Sequence, residues 1–537
     1  MKLQIVILIS SLGNNRLNFY RTAAETSFCL VNYEKLSQFL IILAKNVKYD
    51  LDLVPSYLLE VKALNHQLKY ADAFRLSLRV LGDMGEKLPL DLNDELISME
   101  INENIFQSAH KILNINALNV VEDEAIIAIF QVLYELFITT FFYNPRLLPI
   151  IGGRIVKLTC DHGLSKYSAI GLAMAGRMFC SKNDFENGYL YGQLSLSVIN
   201  KFKAKDLFPK VVAYVHTDIF YYKESIHNML KLPLKAMATS FEVGDNESLS
   251  YNFTIFYVLS FHSGKQLRDL IDDFESICHR VPRKSNSLMS THQSVLNLVG
   301  YAENNNAWLL NGNHFHCVRD VDFENQPVHA IMGLLQCIIM AYIFNEYDKA
   351  KEWLELCIPK IDYLAHSLQQ IIFIFYEGLL YADLFKKSRD KHYLQRVQSS
   401  IDLLKTLSKS CPQNFLNKLA LLEAELTSIN NNADGESVVK SYDKAILLSK
   451  ENGFIHEKAL ACERAGISFI LSGYTDPRNY LTQAFDTYKQ WGAKAKLIQM
   501  KKLYPTHLSN MSCPDQINAD DNNLETISTV SELTNPS

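Results

Sequence analysis

The sequence predicts an all-α protein in which antiparallel helix pairs stack side by side into a superhelical solenoid. Its 537 residues exceed the usual size of a single core. Hydrophobic residues make up 48% of the chain and charged residues 21%, so there is enough apolar surface to fold. Glycine (21) and proline (14) are scarce. Because a β-rich chain needs both in its many turns, this scarcity favours helices. Helix pairs that recur along the chain are the third observation.

The turns between the predicted helices resemble one another. Asn183-Asp184-Phe185-Glu186 and Glu346-Tyr347-Asp348-Lys349-Ala350 each follow a helix with small residues and precede a helix with an apolar stripe. An aromatic residue in the turn and small residues on the preceding helix are typical of tetratricopeptide-like repeats. The repeats are spaced by about forty residues and are irregular. We therefore predict a tetratricopeptide-like superhelical solenoid with a right-handed superhelical sense.

The last repeat has the clearest pattern. One helical face is predicted to carry Leu481, Ala484, Phe485, Tyr488 and Trp491. Gly492 follows at once and is well placed to end that helix in a left-handed conformation. Trp491 is expected to close the apolar face of this final long helix.

The chain divides into five predicted segments. They are an N-terminal segment at 1–18, a first helical-repeat block at 19–302, a polar connector at 303–326, a second, tetratricopeptide-like block at 327–505, and a disordered acidic tail at 506–537. The connector is rich in Asn and breaks the helical period. The tail has no apolar periodicity, which predicts disorder.

The charge distribution bounds the partners. The chain has 53 Lys and Arg residues and 58 Asp and Glu residues. The tail has no Lys or Arg, and its acidic residues are Asp515, Asp520, Asp521, Glu525 and Glu532. The rest of the chain is balanced, which argues against nucleic acid. The ten cysteines are scattered without a C-x-x-C pair. We expect no zinc motif, no disulfide framework and a reducing, cytoplasmic compartment.

Three apolar stretches are predicted to be buried helices rather than membrane spans. Ala125–Phe142 is the most apolar, yet it contains Gln131 and Glu135, and a carboxylate near the middle of a bilayer is costly. The same interpretation covers His329–Phe344 and Leu368–Tyr381. The short apolar run Met1–Ser10 leaves two alternatives, a targeting signal or a first helix, and we favour the helix.

Known catalytic signatures are missing from the sequence. The string nearest to a phosphate-binding loop is Ser263-Gly264-Lys265-Gln266, which has Leu259 where the first glycine belongs and Gln266 where magnesium needs a hydroxyl. We found neither a kinase catalytic loop nor a nucleophile elbow. We predict that the protein is not an enzyme and has no catalytic, cofactor-binding or metal-binding residues.

Two strings carry an alternative hypothesis, an unrecognised helical enzyme or metal-binding protein. Asp161-His162-Gly163-x-Ser165 has the residue types of a catalytic dyad or triad. We favour a helix end, with Gly163 just past the last helical residue and Ser165 capping the next helix. His314-x-His316-Cys317, with Asp320 nearby, could begin a metal site, but its spacing matches no zinc pattern.

Several strings occur in an order that resembles a known family. They include Leu81-Gly82-x-x-Gly85-Glu86-x-Leu88-Pro89, Tyr143-Asn144-Pro145-Arg146-Leu147-Leu148, Asp161-His162-Gly163-Leu164-Ser165 and Trp491-Gly492-Ala493-Lys494-Ala495-Lys496. Together they resemble the helical-repeat region of large multidomain signalling proteins that combine a serine/threonine-kinase-like domain, an AAA-type ATPase, a GAF domain and a histidine kinase. The resemblance covers Phe19 to Pro505.

The resemblance implies a non-catalytic spacer in signal transduction that binds protein partners through a concave surface. It suggests kinase or ATPase modules as those partners, in cis or in trans. No kinase, ATPase, GAF or histidine-kinase segment is present in the 537 residues, so no catalytic residue is carried over. Two alternatives stay open, a fragment of a larger kinase protein and a stand-alone product.

Overall fold

A computed structural model describes residues 13–46, 50–88, 93–113, 115–281, 284–302, 306–324, 327–430 and 433–512. Across these ranges the secondary structure is helical. Their strand-like pairings are two isolated bridges, between Val120 and Leu164 and between Asn311 and His316. The all-α prediction, with consecutive helices packed as pairs, is confirmed.

The described residues form two compact units. The first contains residues up to Lys223 together with Ala238–Asp245, and the second contains Glu224–Met237 and the chain from Asn246 onwards. The described part of the predicted connector, 306–324, lies within the second unit. The division between the two units falls near residues 224–246.

Ten α-helices of the first unit are described. They are α1 (Gly13–Cys29), α2 (Tyr33–Asn46), α3 (Asp50–His66), α4 (Tyr70–Asp83), α5 (Asp94–Ile101), α6 (Glu124–Tyr143), α7 (Leu148–His162), α8 (Ser168–Ser181), α9 (Phe185–Phe202) and α10 (Phe208–Asp218). The helices α8 and α9 approach so closely at Gly176 that a Cβ there would lie 2.8 Å from the carbonyl oxygen of Gly188. The predicted small residues are therefore required for this contact.

The second unit continues the series. Its helices are α11 (Ile226–Met229), α13 (Asn246–His262), α14 (Leu267–Cys278), α15 (Asn286–Val299), α16 (Pro327–Ile343), α17 (Tyr347–Cys357), α18 (Leu368–Ser388), α19 (Lys391–Ser410), α20 (Pro412–Ile429), α21 (Gly435–Glu451), α22 (Ile455–Ser472), α23 (Arg478–Trp491) and α24 (Lys494–Leu503). Residues of α12 (Lys231–Val243) belong to both units.

The predicted face of the last repeat is buried. Leu481, Phe485 and Trp491 are each at most 1% exposed. Gly492 ends α23 with a φ of 96°, so the predicted left-handed termination is confirmed.

Both predicted terminal boundaries shift. Leu508 is 1% exposed, so packing continues beyond the predicted start of the tail at residue 506, and residues 513–537 lie outside the described residues. At the other end α1 begins at Gly13, inside the predicted N-terminal segment 1–18. The run Met1–Ser10 also lies outside the described residues.

Among the helices that the structure describes, α6 and α18 are long and apolar enough to cross a membrane. In the structure 61% and 78% of their apolar windows are buried inside the protein. Glu135 of α6 is 6% exposed, and its carboxylate lies 3.4 Å from Nζ of Lys62. Both helices therefore contribute mainly to the protein interior, as predicted.

Candidate functional site

The string Asp161-His162-Gly163-x-Ser165 forms a helix end. Asp161 and His162 are exposed in the last turn of α7, and Gly163 follows with a φ of 111°. Ser165 is buried, and its hydroxyl accepts a hydrogen bond from the backbone N–H of Tyr167 at 3.4 Å. The serine hydroxyl is thus used in the turn that leads into α8, so the string is a helix end. The predicted cap is wrong, because Tyr167 is the residue that precedes α8 and no side chain caps that helix.

The histidines and cysteine of the second string have different surroundings. The His314 ring lies edge-on to His292, with 4.8 Å between ring centroids. Nδ1 of His316 accepts the backbone N–H of Val318 at 3.2 Å. The Cys317 thiol is hydrogen-bonded to the Cys337 thiol, which lowers the pKa of Cys317.

Those surroundings do not make a metal centre. Within the ranges that the structure describes, no group of three or more His, Cys, Asp or Glu side chains is placed to hold a metal ion. Asp320 is engaged by Arg319 at 2.7 Å and accepts the backbone N–H of His316 at 2.8 Å. The geometry therefore gives the metal-binding hypothesis no support.

The string nearest to a phosphate-binding loop is a tight turn between α13 and α14. Gly264 has a φ of +84°, and a Cβ there would lie 2.8 Å from Nδ1 of His456. Nζ of Lys265 lies 2.6 Å from a carboxylate oxygen of Asp273. The glycine is needed for close approach to α22, and the lysine is paired with an acid.

Distant segments of the second unit meet at this turn and at the beginning of α11. The backbone N–H of Ile226 donates to the side chain of Asn414 at 2.8 Å. Nε2 of His227 lies 2.9 Å from the carbonyl oxygen of Asn452. The beginnings of α20 and α22 are consequently covered by residues of α11 and of the α13–α14 turn.

A buried charge network joins three helices of the second unit. Arg464 of α22 is 2% exposed, and its guanidinium lies 2.5 Å from Asp383 of α18 and 2.8 Å from Glu425 of α20. Lys386 of α18 lies 2.7 Å from the other oxygen of Glu425. Burial alone would raise the pKa of Glu425, but Arg464 and Lys386 outweigh burial and hold that pKa below its usual value.

A second ion pair lies next to this network. Lys496 of α24 is fully buried, and its Nζ lies 2.8 Å from Glu463 and 2.5 Å from the carbonyl oxygen of Ile343. Burial lowers the pKa of Lys496, and Glu463 opposes that change. Because the partners are distributed over five helices, the two networks link α16, α18, α20, α22 and α24 to one another.

Three buried histidines in the second unit are held neutral. Burial, with Lys418 nearby, lowers the pKa of His262 to about 3. Burial lowers the pKa of His292 to about 2, and the nearby His314 and Lys284 act in the same direction. Burial also lowers the pKa of His456 well below its usual value. When the pH falls below the pKa of a histidine in the unfolded chain, that histidine takes up a proton only in the unfolded chain. The free energy of unfolding then decreases.

We expect the second unit to lose stability as the pH falls from 7 to 5. The pKa values of these histidines are lower in the folded than in the unfolded chain, so their contribution is complete above about pH 6.5 and decreases below it. At pH 5 the loss is about 2 kcal/mol for each histidine. Urea denaturation followed by circular dichroism should show His262→Gln reducing this pH dependence and the exposed His392→Gln leaving it unchanged. Equal pH dependence in all three proteins would contradict the expectation.

A groove is present in the first unit, between α2, α3 and α4. Its volume is about 550 Å³. Residues lining it include Tyr33, Glu34, Leu40, Ile41, Ala44, Leu53, Ser56, Tyr57, Glu60, Leu64, Gln67, Lys69 and Arg79. We call it the α2–α4 groove. It combines apolar walls with a few charged groups, as protein-binding grooves do.

Two side chains of the α2–α4 groove are in energetically unfavourable surroundings. Ile41 is 53% exposed although it is strongly apolar. Ser56 is 7% exposed, and its hydroxyl has no hydrogen-bond partner. No sequence motif indicates the groove, since its lining comes from three separate helices.

The fold defines a helical-repeat protein. No family model matches the chain, and no curated protein matches it. Among solved structures, the chain is similar to a circular tandem repeat protein with novel repeat topology and enhanced subunit contact surfaces. The two are 11% identical over 92% of this chain and 95% of the other, with a TM-score of 0.15. A TM-score this low supports no inference about function.

Proposed function

We propose that the protein is a non-catalytic helical-repeat scaffold or regulatory module that binds protein partners in the cytoplasm. The observation that carries the proposal is the α2–α4 groove, which presents apolar, charged and hydroxyl groups together on one surface. Stacked helix pairs commonly serve as binding surfaces, because each pair contributes a few side chains.

The resemblance to the repeat region of hybrid kinase and ATPase signalling proteins supports a role in signal transduction. Kinase or ATPase modules, in cis or in trans, are accordingly the first partners to test. We assign partner binding to the α2–α4 groove rather than to a concave surface of the second unit, because α11 and the α13–α14 turn already cover the beginnings of α20 and α22.

The full chain and its Ile41→Asp variant, immobilised separately, should differ in the proteins that they retain from a lysate. We expect a defined set of signalling proteins on the full chain and at least a fivefold loss of that set on the variant, since a carboxylate at the groove wall opposes an apolar contact. Quantitative mass spectrometry measures both. Proteins retained equally by the two would contradict the assignment to the groove.

The same preparation tests the absence of catalysis. Calorimetry should detect no ATP binding, and incubation with ATP should release no phosphate. Micromolar affinity for ATP would overturn the proposal of a non-catalytic scaffold, because no phosphate-binding loop is present in the sequence.

A further inference from the structure

We propose that the α2–α4 groove receives one amphipathic α-helix of a partner protein, with acidic residues on the flank that faces α4. This inference rests on the proposed protein-binding function and names the chemistry of the partner. Three features of the groove carry it: its length, its apolar walls and the charges along its rim.

The length of the groove fits a helix of about four turns. Its floor is the α3 surface from Leu53 to Gln67, and one wall is the α2 surface from Tyr33 to Ala44. At 1.5 Å per residue the floor runs for about 21 Å, the length of a helix of about fourteen residues. A volume of about 550 Å³ accommodates a row of partner side chains at positions i, i+3 or i+4, and i+7.

The walls favour an apolar face on that helix. Leu40 and Leu53 are at most 9% exposed and form the base of the groove, whereas Ile41 projects with 53% of its surface exposed. A helix lying in the groove would remove the Ile41 side chain from water, which is favourable in proportion to the apolar area covered.

The rim next to α4 is basic. Lys69 precedes the first residue of α4 and Arg79 lies near its end, and both are exposed. Arg79 lies over the Tyr57 ring at 5.8 Å from the ring centroid. Ten residues of helix separate the two cations by about 15 Å, so acidic partner residues about ten or eleven positions apart would meet both. Positions eleven apart lie on the same face of a helix, and positions ten apart lie about 80° from each other around its axis.

Acidic groups on the other sides of the groove set the orientation. Glu34 is exposed at the beginning of α2, and Glu60 lies inside. Burial raises the pKa of Glu60, while Arg79 acts to lower it. A partner carboxylate therefore belongs on the α4 side, away from Glu34.

A displayed library of sixteen-residue helical peptides, selected on the full chain, tests the proposal. Enriched peptides should combine apolar residues at i, i+3 or i+4, and i+7 with two acidic residues ten or eleven positions apart. For one selected peptide, calorimetry should show at least tenfold weaker binding to Arg79→Glu and to Ile41→Asp.

Two variants control for charge and exposure. Arg75→Glu changes an exposed cation of α4 that pairs with Asp72 and is not among the groove-lining residues. Leu190→Asp changes a partly exposed leucine of α9. Both should bind the peptide within twofold of the unmodified chain. Circular dichroism and the melting temperature establish that each variant is folded.

Other outcomes would overturn the inference. Selected peptides without acidic residues, peptides with a basic flank, or binding unchanged by Arg79→Glu and Ile41→Asp would each do so. A dimer in sedimentation that Ile41→Asp converts to a monomer would identify a second copy of the chain as the occupant. If lysate partners depend on Ile41 but no acidic preference appears, this inference alone fails. If no partner depends on Ile41, the proposed function fails as well.

Discussion

Replacement of Arg464 with methionine should lower the free energy of unfolding of the second unit by about 3–5 kcal/mol. The guanidinium is 2% exposed and lies within 2.8 Å of both Asp383 and Glu425. Without it, Lys386 still compensates Glu425, but Asp383 loses its cation. An uncompensated carboxylate in a buried position is strongly destabilising. Methionine fills most of the space that the arginine side chain occupies, so the loss reports the missing charge rather than a cavity.

Urea denaturation at pH 7, followed by circular dichroism, measures this change. Arg268→Met is the matched control, because Arg268 lies 3.3 Å from Asp272 in an exposed pair. Exposed pairs contribute about 0–1 kcal/mol. Equal losses in the two variants would show that the buried network has no special role in stability.

Trp491→Ala should cost about 3–5 kcal/mol, comparable with other large-to-small changes in cores. The indole is 1% exposed, and its Nε1–H donates to the carbonyl oxygen of Lys265 at 3.0 Å. The ring also packs against Phe261, with 5.8 Å between centroids. Its removal leaves a cavity and an unpaired carbonyl where α23 meets the α13–α14 turn.

Trp491→Phe separates the two contributions. It keeps most of the apolar volume and removes the hydrogen bond, so we expect a smaller loss of about 1–2 kcal/mol. Leu471→Ala is the control, because Leu471 is 73% exposed, and exposed substitutions usually change stability by less than about 0.5 kcal/mol. A Trp491→Ala loss as small as that of the control would mean that the indole is not needed to hold α23 in place.

Local features of the fold could be predicted from the sequence because they depend on neighbouring residues. The apolar face that ends at Trp491 follows from helical spacing, and the termination at Gly492 follows from the freedom of glycine to adopt positive φ. The contact between Trp491 and Lys265 could not be predicted, since the two residues are 226 positions apart and no periodicity links them.

Helical periodicity alone indicates one member of the charge network, the buried arginine of α22. Arg464 stands between Ala461 and Ala465, which occupy the packed face of α22. A cation on such a face requires buried acids, but their identity depends on how α18 and α20 align. The α2–α4 groove had no comparable signal. Ile41 follows Leu36 and Leu40 in an apolar helix, and its exposure depends on the placement of α3 and α4.

The distant contacts of the second unit have a consequence for biosynthesis. In an ordinary linear repeat array each repeat touches only its neighbours, so folding can start anywhere and follow the ribosome. Here Ile226 and Asn414 are 188 residues apart, and Lys265 and Trp491 are 226 apart. At roughly 5–20 residues per second, the α13–α14 turn waits about 10–45 s for α23 to be synthesised. During that interval the apolar surface at Phe261 lacks the Trp491 ring that covers it in the folded protein. We therefore expect the closure of this contact to be a late step of folding.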